Sequence, residues 1–196
     1  MINNHKKGLS LVETLIAVAI FALGVVTIFE FVRMGYFTKD YTFQQALTIE
    51  EARRGIETML KEIREAKSGE DGSFAIEKAE DFEFVFFSDI DNDGETERVR
   101  YFLEGTDFKK GVIDPEGWPP TYPSSSEKIY ILSQYVQNSP PIFKYFDENG
   151  NELGPPANLK DTKLMRIYLV VNINPRRPPQ DFVLETDVQL RNLKEE

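Results

Sequence analysis

Asp89, Asp91, Asp93 and Glu97 stand at positions one, three, five and nine of a single short run, with Gly94 at position six. Carboxylates at that spacing, around a glycine that permits a sharp turn, match the oxygen cage that holds calcium; the backbone carbonyl of Glu95 would add a further ligand. The helix–loop–helix form of such a cage needs a bidentate glutamate at position twelve, where this chain has Arg100. The flanking residues alternate as strands do, so a β-hairpin loop is the better frame. A second reading stands beside it: Asp, Asn and Gly together also make an ordinary solvated hairpin turn.

A second group of residues lies at the amino end. Lys6-Lys7-Gly8 directly precedes Leu9-Ser10-Leu11-Val12-Glu13, and an apolar run from Thr14 to Phe29 follows. A cleaved secretory signal has the charges, then the apolar stretch, then a small-residue cut site. Here the small residue precedes the apolar stretch and Phe29-Glu30-Phe31-Val32-Arg33 follows it, so the stretch is expected to be retained. Ten of its residues are Leu, Ile, Val or Phe. At roughly −0.3 to −0.6 kcal/mol each they favour insertion by about 3–6 kcal/mol. Glu13 opposes this by about 2.5–3.5 kcal/mol at mid-membrane and by less near the interface. Leu9 to Phe29 has the roughly 20 residues needed to span the hydrocarbon core. The lysine pair keeps the amino end cytoplasmic and exports the rest. Glu13 either has a partner within the membrane or reaches the interface, and an uncleaved signal anchor is the plainer reading of the whole segment.

Composition removes several classes of chemistry. There is no cysteine, which excludes disulfides, catalytic thiols and cysteine metal sites. The one histidine is His5, within the first eight residues. We find no Ser–His pair, phosphate loop or metalloprotease motif, and acidic clusters alone do not make a glycosidase; no catalytic residues are assigned. Formal charge is −10; without Lys6 and Lys7 it becomes −12, from 21 basic against 33 acidic residues. Such a surface repels phosphate backbones, so no nucleic-acid partner is expected.

Gly8-Leu9-Ser10-Leu11-Val12-Glu13-Thr14-Leu15, behind a basic pair and ahead of a long apolar helix, resembles the N-terminus of type IV prepilins and type II secretion pseudopilins. The resemblance implies that a prepilin peptidase cuts between Gly8 and Leu9 and methylates the new Leu9 amine. It implies that Glu13 pairs in assembly with the free amino terminus of a neighbouring subunit. Leu9 departs from the commoner phenylalanine or methionine, and the apolar helix lacks proline, leaving Gly24 and Gly35 as its only weak points. Other pilin or pseudopilin subunits and an inner-membrane assembly platform are the implied partners. The disulfide-closed loop of many family members has no counterpart in a chain without cysteine.

These residues need elements to position them. Ile49, Ala52, Ile56, Leu60 and Ile63 recur at three- and four-residue steps, which predicts that the helix continues as an amphipathic rod. Glu50–Arg54 and Glu57–Lys61 form opposite-charge pairs on its other face. Lys67-Ser68-Gly69 and Asp71-Gly72 end it. Beyond Gly72 the period changes to two. Phe82, Phe84 and Phe86 alternate, as do Val99, Tyr101 and Leu103, and Met165 to Ile173. Phe182, Leu184, Val188 and Leu190 face in, against Glu185, Asp187, Gln189 and Arg191; Ile129 to Val136 and Ile142 to Phe146 are further candidates. One-sided alternation predicts an antiparallel sheet with one covered face. The expected fold is therefore α+β and pilin-like: a long N-terminal helix, membrane-spanning in its first half, packed on an antiparallel sheet domain. The expected divisions are a leader at 1–8, a transmembrane and assembly half at 9–35, an amphipathic half at 36–67 and a β-rich head at 73–196. Asp114 to Lys128 is a long Pro-rich connection, in which Trp118 and Tyr122 serve either as contacts for another subunit or as cover for a sheet edge.

Asp89-Ile90-Asp91-Asn92-Asp93-Gly94, Arg98-Val99-Arg100-Tyr101, the Pro-rich segment and Pro141-Ile142-Phe143-Lys144-Tyr145 are together similar to PilW-type minor pilins and J-type pseudopilins. That resemblance implies a minor subunit that primes a filament or sits within it. Glu13 sets the chain apart from the tip-most pseudopilin class, which usually lacks this acid. The expected place is the cytoplasmic (inner) membrane, crossed once, with the head outside the cytoplasm. The alternative from another class is a membrane-anchored, calcium-dependent extracytoplasmic binding module. A mere tether needs neither Glu13 nor the Gly8–Leu9 junction.

Overall fold

The computed structural model describes residues 10–158, 161–176 and 180–189. Gly8 and Leu9 lie outside the described residues, as do Leu190 and Arg191. Helix α1 (Leu11–Arg64) runs 54 residues without proline, and Gly24 and Gly35 do not interrupt it. The chain divides into two compact units at Gln44–Gln45.

In the first unit every described residue from 10 to 40 is exposed, including the large apolar side chains from Leu11 to Phe37. By length and composition this helix can cross a membrane. Its polar atoms are satisfied locally: the hydroxyls of Thr27, Thr38 and Thr42 donate to the carbonyls of Leu23, Met34 and Thr38, 2.8–2.9 Å away.

The second unit holds the rest of α1 and nine strands among the described residues. Strands β1 (Ile76–Ala79), β2 (Glu83–Ser88), β3 (Glu97–Glu104), β4 (Asp107–Ile113) and β5 (Lys128–Ser133) form one antiparallel sheet in sequence order. Strands β6 (Phe143–Phe146), β7 (Glu152–Leu153), β8 (Leu164–Val171) and β9 (Phe182–Gln189) form a second sheet, in the order β7-β6-β8-β9. Two sheets thus stand where the alternation suggested one. The segment after β5 joins them: Val136 donates to the Thr106 carbonyl and Gln137 to that of Val170.

One core serves both sheets and the helix. Ala52, Ile56, Met59 and Ile63 of α1 pack with Phe84, Phe86, Tyr101, Phe108, Phe143 and Tyr145. Phe84 stacks obliquely on Phe143 and Tyr145 at ring separations of 6.0 and 6.3 Å. The helix stripe also contains Gln45, Thr48, Gly55 and Glu62, which the apolar periodicity passes over. Gln45 acts as a substitute strand: its amide donates to the Val171 carbonyl and accepts from the Ile173 N–H. Gly55 allows close approach, since a Cβ there would lie 3.1 Å from the Leu132 Cβ. The sheet is also not one-sided at β2. Val85 and Phe87, on the face opposite Phe84 and Phe86, are buried as well, and Tyr122 of the Pro-rich segment packs on Phe87 at 5.1 Å.

Candidate functional site

Glu13 lies in the first turn of α1, where Ser10 precedes the helix. The Ser10 N–H donates to Glu13 Oε2 at 3.1 Å, and the Glu13 N–H donates to Ser10 Oγ at 3.2 Å. This is a capping box, which satisfies two donors that a helix start otherwise leaves orphaned. The carboxylate also sits at the positive end of the helix dipole. The signature Ser10-x-x-Glu13 is legible in the sequence, and reading Glu13 only as a lone intramembrane acid missed it.

The Asp-rich run connects β2 to β3 and is therefore a β-hairpin loop. Asn92 and Gly94 take left-handed backbone angles (φ 63° and 97°), which make the sharp turn that position six demands. Successive side chains fold back on the loop: Asp91 Oδ1 accepts from the Asp93 N–H, and Asp93 Oδ1 from the Glu95 N–H. Glu97 is buried, and its Oε2 accepts from the Ile90 N–H at 2.8 Å. The carboxylate oxygens of Asp89, Asp91 and Glu97 lie within 4.8 Å of one another. Asp93 and Glu95 belong to the same loop but not to that trio. Asp89 Oδ1 is inaccessible and has no hydrogen-bond partner among the described residues. Its Oδ2 faces Lys67 Nζ at 3.5 Å. Burial, with the charges of Asp91 and Asp93 added, raises the Glu97 pKa despite the Ile90 N–H. An orphaned oxygen beside two further carboxylates fits a hard cation better than it fits an ion pair with lysine alone.

Arg100, at position twelve, turns away. Its guanidinium forms a fork with Glu127 at 2.7 and 2.6 Å, reaches Glu83 at 3.3 Å and lies 3.8 Å above the Phe102 ring. Tyr122 ties the loops of this end together. Its hydroxyl accepts from the Glu70 N–H and donates to the Thr96 carbonyl, while Thr96 Oγ1 donates to Glu70 Oε1. Trp118, four residues earlier, touches none of this and is 94% exposed, so it covers no sheet edge. Only long-range packing reveals the roles of Lys67, Glu70 and Thr96.

A buried polar cluster sits beneath the sheet. Glu62 of α1 accepts from Lys110 Nζ at 2.5 Å and from the Tyr101 hydroxyl at 2.6 Å. Burial, then the Glu62 charge, pushes the Tyr101 pKa well up. A shallow groove lined by Glu80, Asp81, Glu83, Arg100 and Pro156 lies elsewhere, and its Glu83 is engaged by Lys78 and Arg100.

The prokaryotic N-terminal methylation motif matches residues 3–29. The match covers the basic pair, the Gly8–Leu9 junction, Glu13 and the apolar run. No curated protein matches the chain.

Proposed function

We propose that this chain is a minor pilin or pseudopilin: a structural subunit that primes, or is incorporated into, a type IV pilus or a type II secretion pseudopilus. The N-terminal methylation motif over residues 3–29 carries this reading. The exposed apolar helix, which begins within the motif and runs on beyond it, and the α+β head support it. Prepilin peptidase would cut between Gly8 and Leu9 and methylate Leu9. The subunit would then leave the cytoplasmic membrane by associating with sister helices on an inner-membrane platform. Glu13 would hold its Ser10 box in the lone chain and exchange that contact for a neighbour's amino terminus on assembly. Both states keep the carboxylate partnered, which a low-dielectric setting demands.

Intact-mass measurement of protein extracted from cells with active prepilin peptidase tests the reading. Residues 9–196 plus one methyl group is the expected species. Retention of Met1 in such cells overturns it.

We further propose that the hairpin holds calcium, with Asp89, Asp91, Asp93 and Glu97 as carboxylate ligands and the Glu95 carbonyl as another. The orphaned Asp89 Oδ1 supports this. The same observation keeps a second reading of the whole chain in play, a membrane-anchored calcium-dependent binding module. Processing at Gly8 separates the two, because a tether requires none.

A further inference from the structure

Strand β5 reads Lys128-Ile129-Tyr130-Ile131-Leu132-Ser133 and closes one side of its sheet. Its inner edge pairs with β4, and among the described residues its backbone makes no hydrogen bond to anything else. Leu132 faces the helix at Gly55, and Tyr130 lies opposite Lys110, which binds Glu62 of that helix. Ile129 and Ile131 therefore point to the other face. Ile129, Tyr130 and Ile131 are 52%, 51% and 54% exposed, so the strand is apolar and half bare on both faces.

Soluble proteins blunt such edges with charges, prolines, bulges or shortness, because an open row of N–H and C=O groups templates further pairing. Among the described residues the other sheet edges follow that rule. β1 is four residues long with a register shift at Lys78, β7 has two residues, and β9 alternates its apolar residues with Glu185 and Asp187. β5 has no proline; its one charged residue, Lys128 at the start, is already paired with Asp114, and its register shift comes only at Leu132, so what sets it apart is the run Ile129-Tyr130-Ile131, apolar, regularly paired and about half exposed.

We infer that the outer edge of β5 is a docking site for an extended strand of another polypeptide, one that is apolar on both faces and not acidic. The backbone row dictates the extended conformation, since only a strand about 4.8 Å away can satisfy alternating donors and acceptors. The exposed isoleucines and tyrosine dictate apolar side chains on both of its faces. The charge argues against a second copy of this chain, because two copies at −10 each repel. The inference concerns the head alone and does not rest on the pilus reading.

Hydrogen–deuterium exchange on the full chain in detergent micelles tests it. The probes are a blocked peptide alternating valine with isoleucine between terminal lysines, its backbone N-methylated counterpart, and a version with glutamates for the lysines. The expected result is slowed exchange across residues 128–133 with the lysine peptide, none with the methylated peptide, and weaker protection with the glutamate peptide. The double variant Ile129→Thr, Ile131→Thr keeps β propensity and should weaken the peptide's apparent affinity by about tenfold, or about 1.4 kcal/mol, with the melting temperature unchanged. Protection confined to other strands, equal protection by the methylated peptide, or unchanged affinity in the double variant overturns the inference. So does concentration-dependent self-protection of residues 128–133 without peptide, which would make a second copy the occupant.

Discussion

The Glu13 carboxylate closes a capping box with Ser10, whereas the proposed pairing with a neighbour's amino terminus requires its charge, and a single atom change separates the two. Glutamine at the third position of a helix can complete a capping box but carries no charge. Glu13→Gln should leave the Gly8–Leu9 cut and membrane insertion intact while sharply reducing incorporation into filaments or co-purification with sister subunits. Glu13→Ala loses the box as well. Equal incorporation of wild type and Glu13→Gln, measured in sheared filaments, would remove the charge-pair role.

The hairpin carboxylates make a second residue-scale prediction. The full chain in detergent should melt higher in millimolar calcium than in chelator. Ligand binding to the native state adds RT ln(1 + [L]/Kd), about 2.7 kcal/mol at a hundredfold excess, and less at the roughly 10⁻⁴–10⁻³ M affinities of extracellular modules. Asp91→Ala should abolish the gain, and magnesium should substitute poorly because it demands a smaller octahedral site. Glu97 adds a pH signature. Its folded pKa is raised above 4.5, so folding takes up a proton between that value and the raised one. In chelator this contribution to stability is present at low pH and lost as pH rises through the window. Calcium needs the ionised form, so its stabilisation should fade as pH falls through the same window. A calcium shift independent of pH there would exclude Glu97 as a ligand.

At the scale of elements, α1 is fastened to the sheet by a charged cluster as well as by apolar burial. Removing one partner of a buried ion pair strands the other, at a cost of about 3–5 kcal/mol. Lys110→Met should destabilise by that order in urea titration. Replacing Glu62 and Lys110 together with methionine should cost less than Lys110→Met alone, since no charge is left unpaired. If the double variant is the less stable of the two, the cluster contributes through attraction rather than through mutual satisfaction.

The Pro-rich connection between β4 and β5 is held across the outer face of the sheet by Tyr122, the Arg100–Glu127 fork and the Lys128–Asp114 pair. Gly111 makes room for it, because a Cβ there would collide with the Glu127 carboxylate. Gly111→Ala must therefore displace that carboxylate and break the fork.

For the molecule as a whole, the chain is built to expose what a solitary soluble protein hides: an apolar helix, an apolar sheet edge and one bare indole. Trp118 is the sole tryptophan, so intrinsic emission reads this position alone. It should emit as a water-exposed indole, accessible to iodide, in the full chain in detergent. Trp118→Ala should change stability by no more than about 0.5 kcal/mol, as expected of an uncontacted surface residue. A blue-shifted, iodide-protected emission would mean that the Pro-rich tip packs on the protein.

The sequence by itself determined the features that depend on local order. The long apolar helix, the junction motif, the hairpin loop around Gly94 and most strands follow from period, charge and turn chemistry, which act within a few residues. The strands Ile76–Ala79 and Asp107–Ile113 are not legible because Glu77, Lys78, Lys109 and Lys110 break their alternation, and Glu152–Leu153 is too short to show one. Tertiary structure alone decided that Lys110 is buried, since only packing brings Glu62 to it from 48 residues away. It decided that β2 is covered on both faces, that carboxylate oxygens of Asp89, Asp91 and Glu97 come within 4.8 Å of one another, and that β5 lies at an edge. Those outcomes rest on which distant segments become neighbours, and pairing between distant segments leaves no periodicity in the chain that makes it.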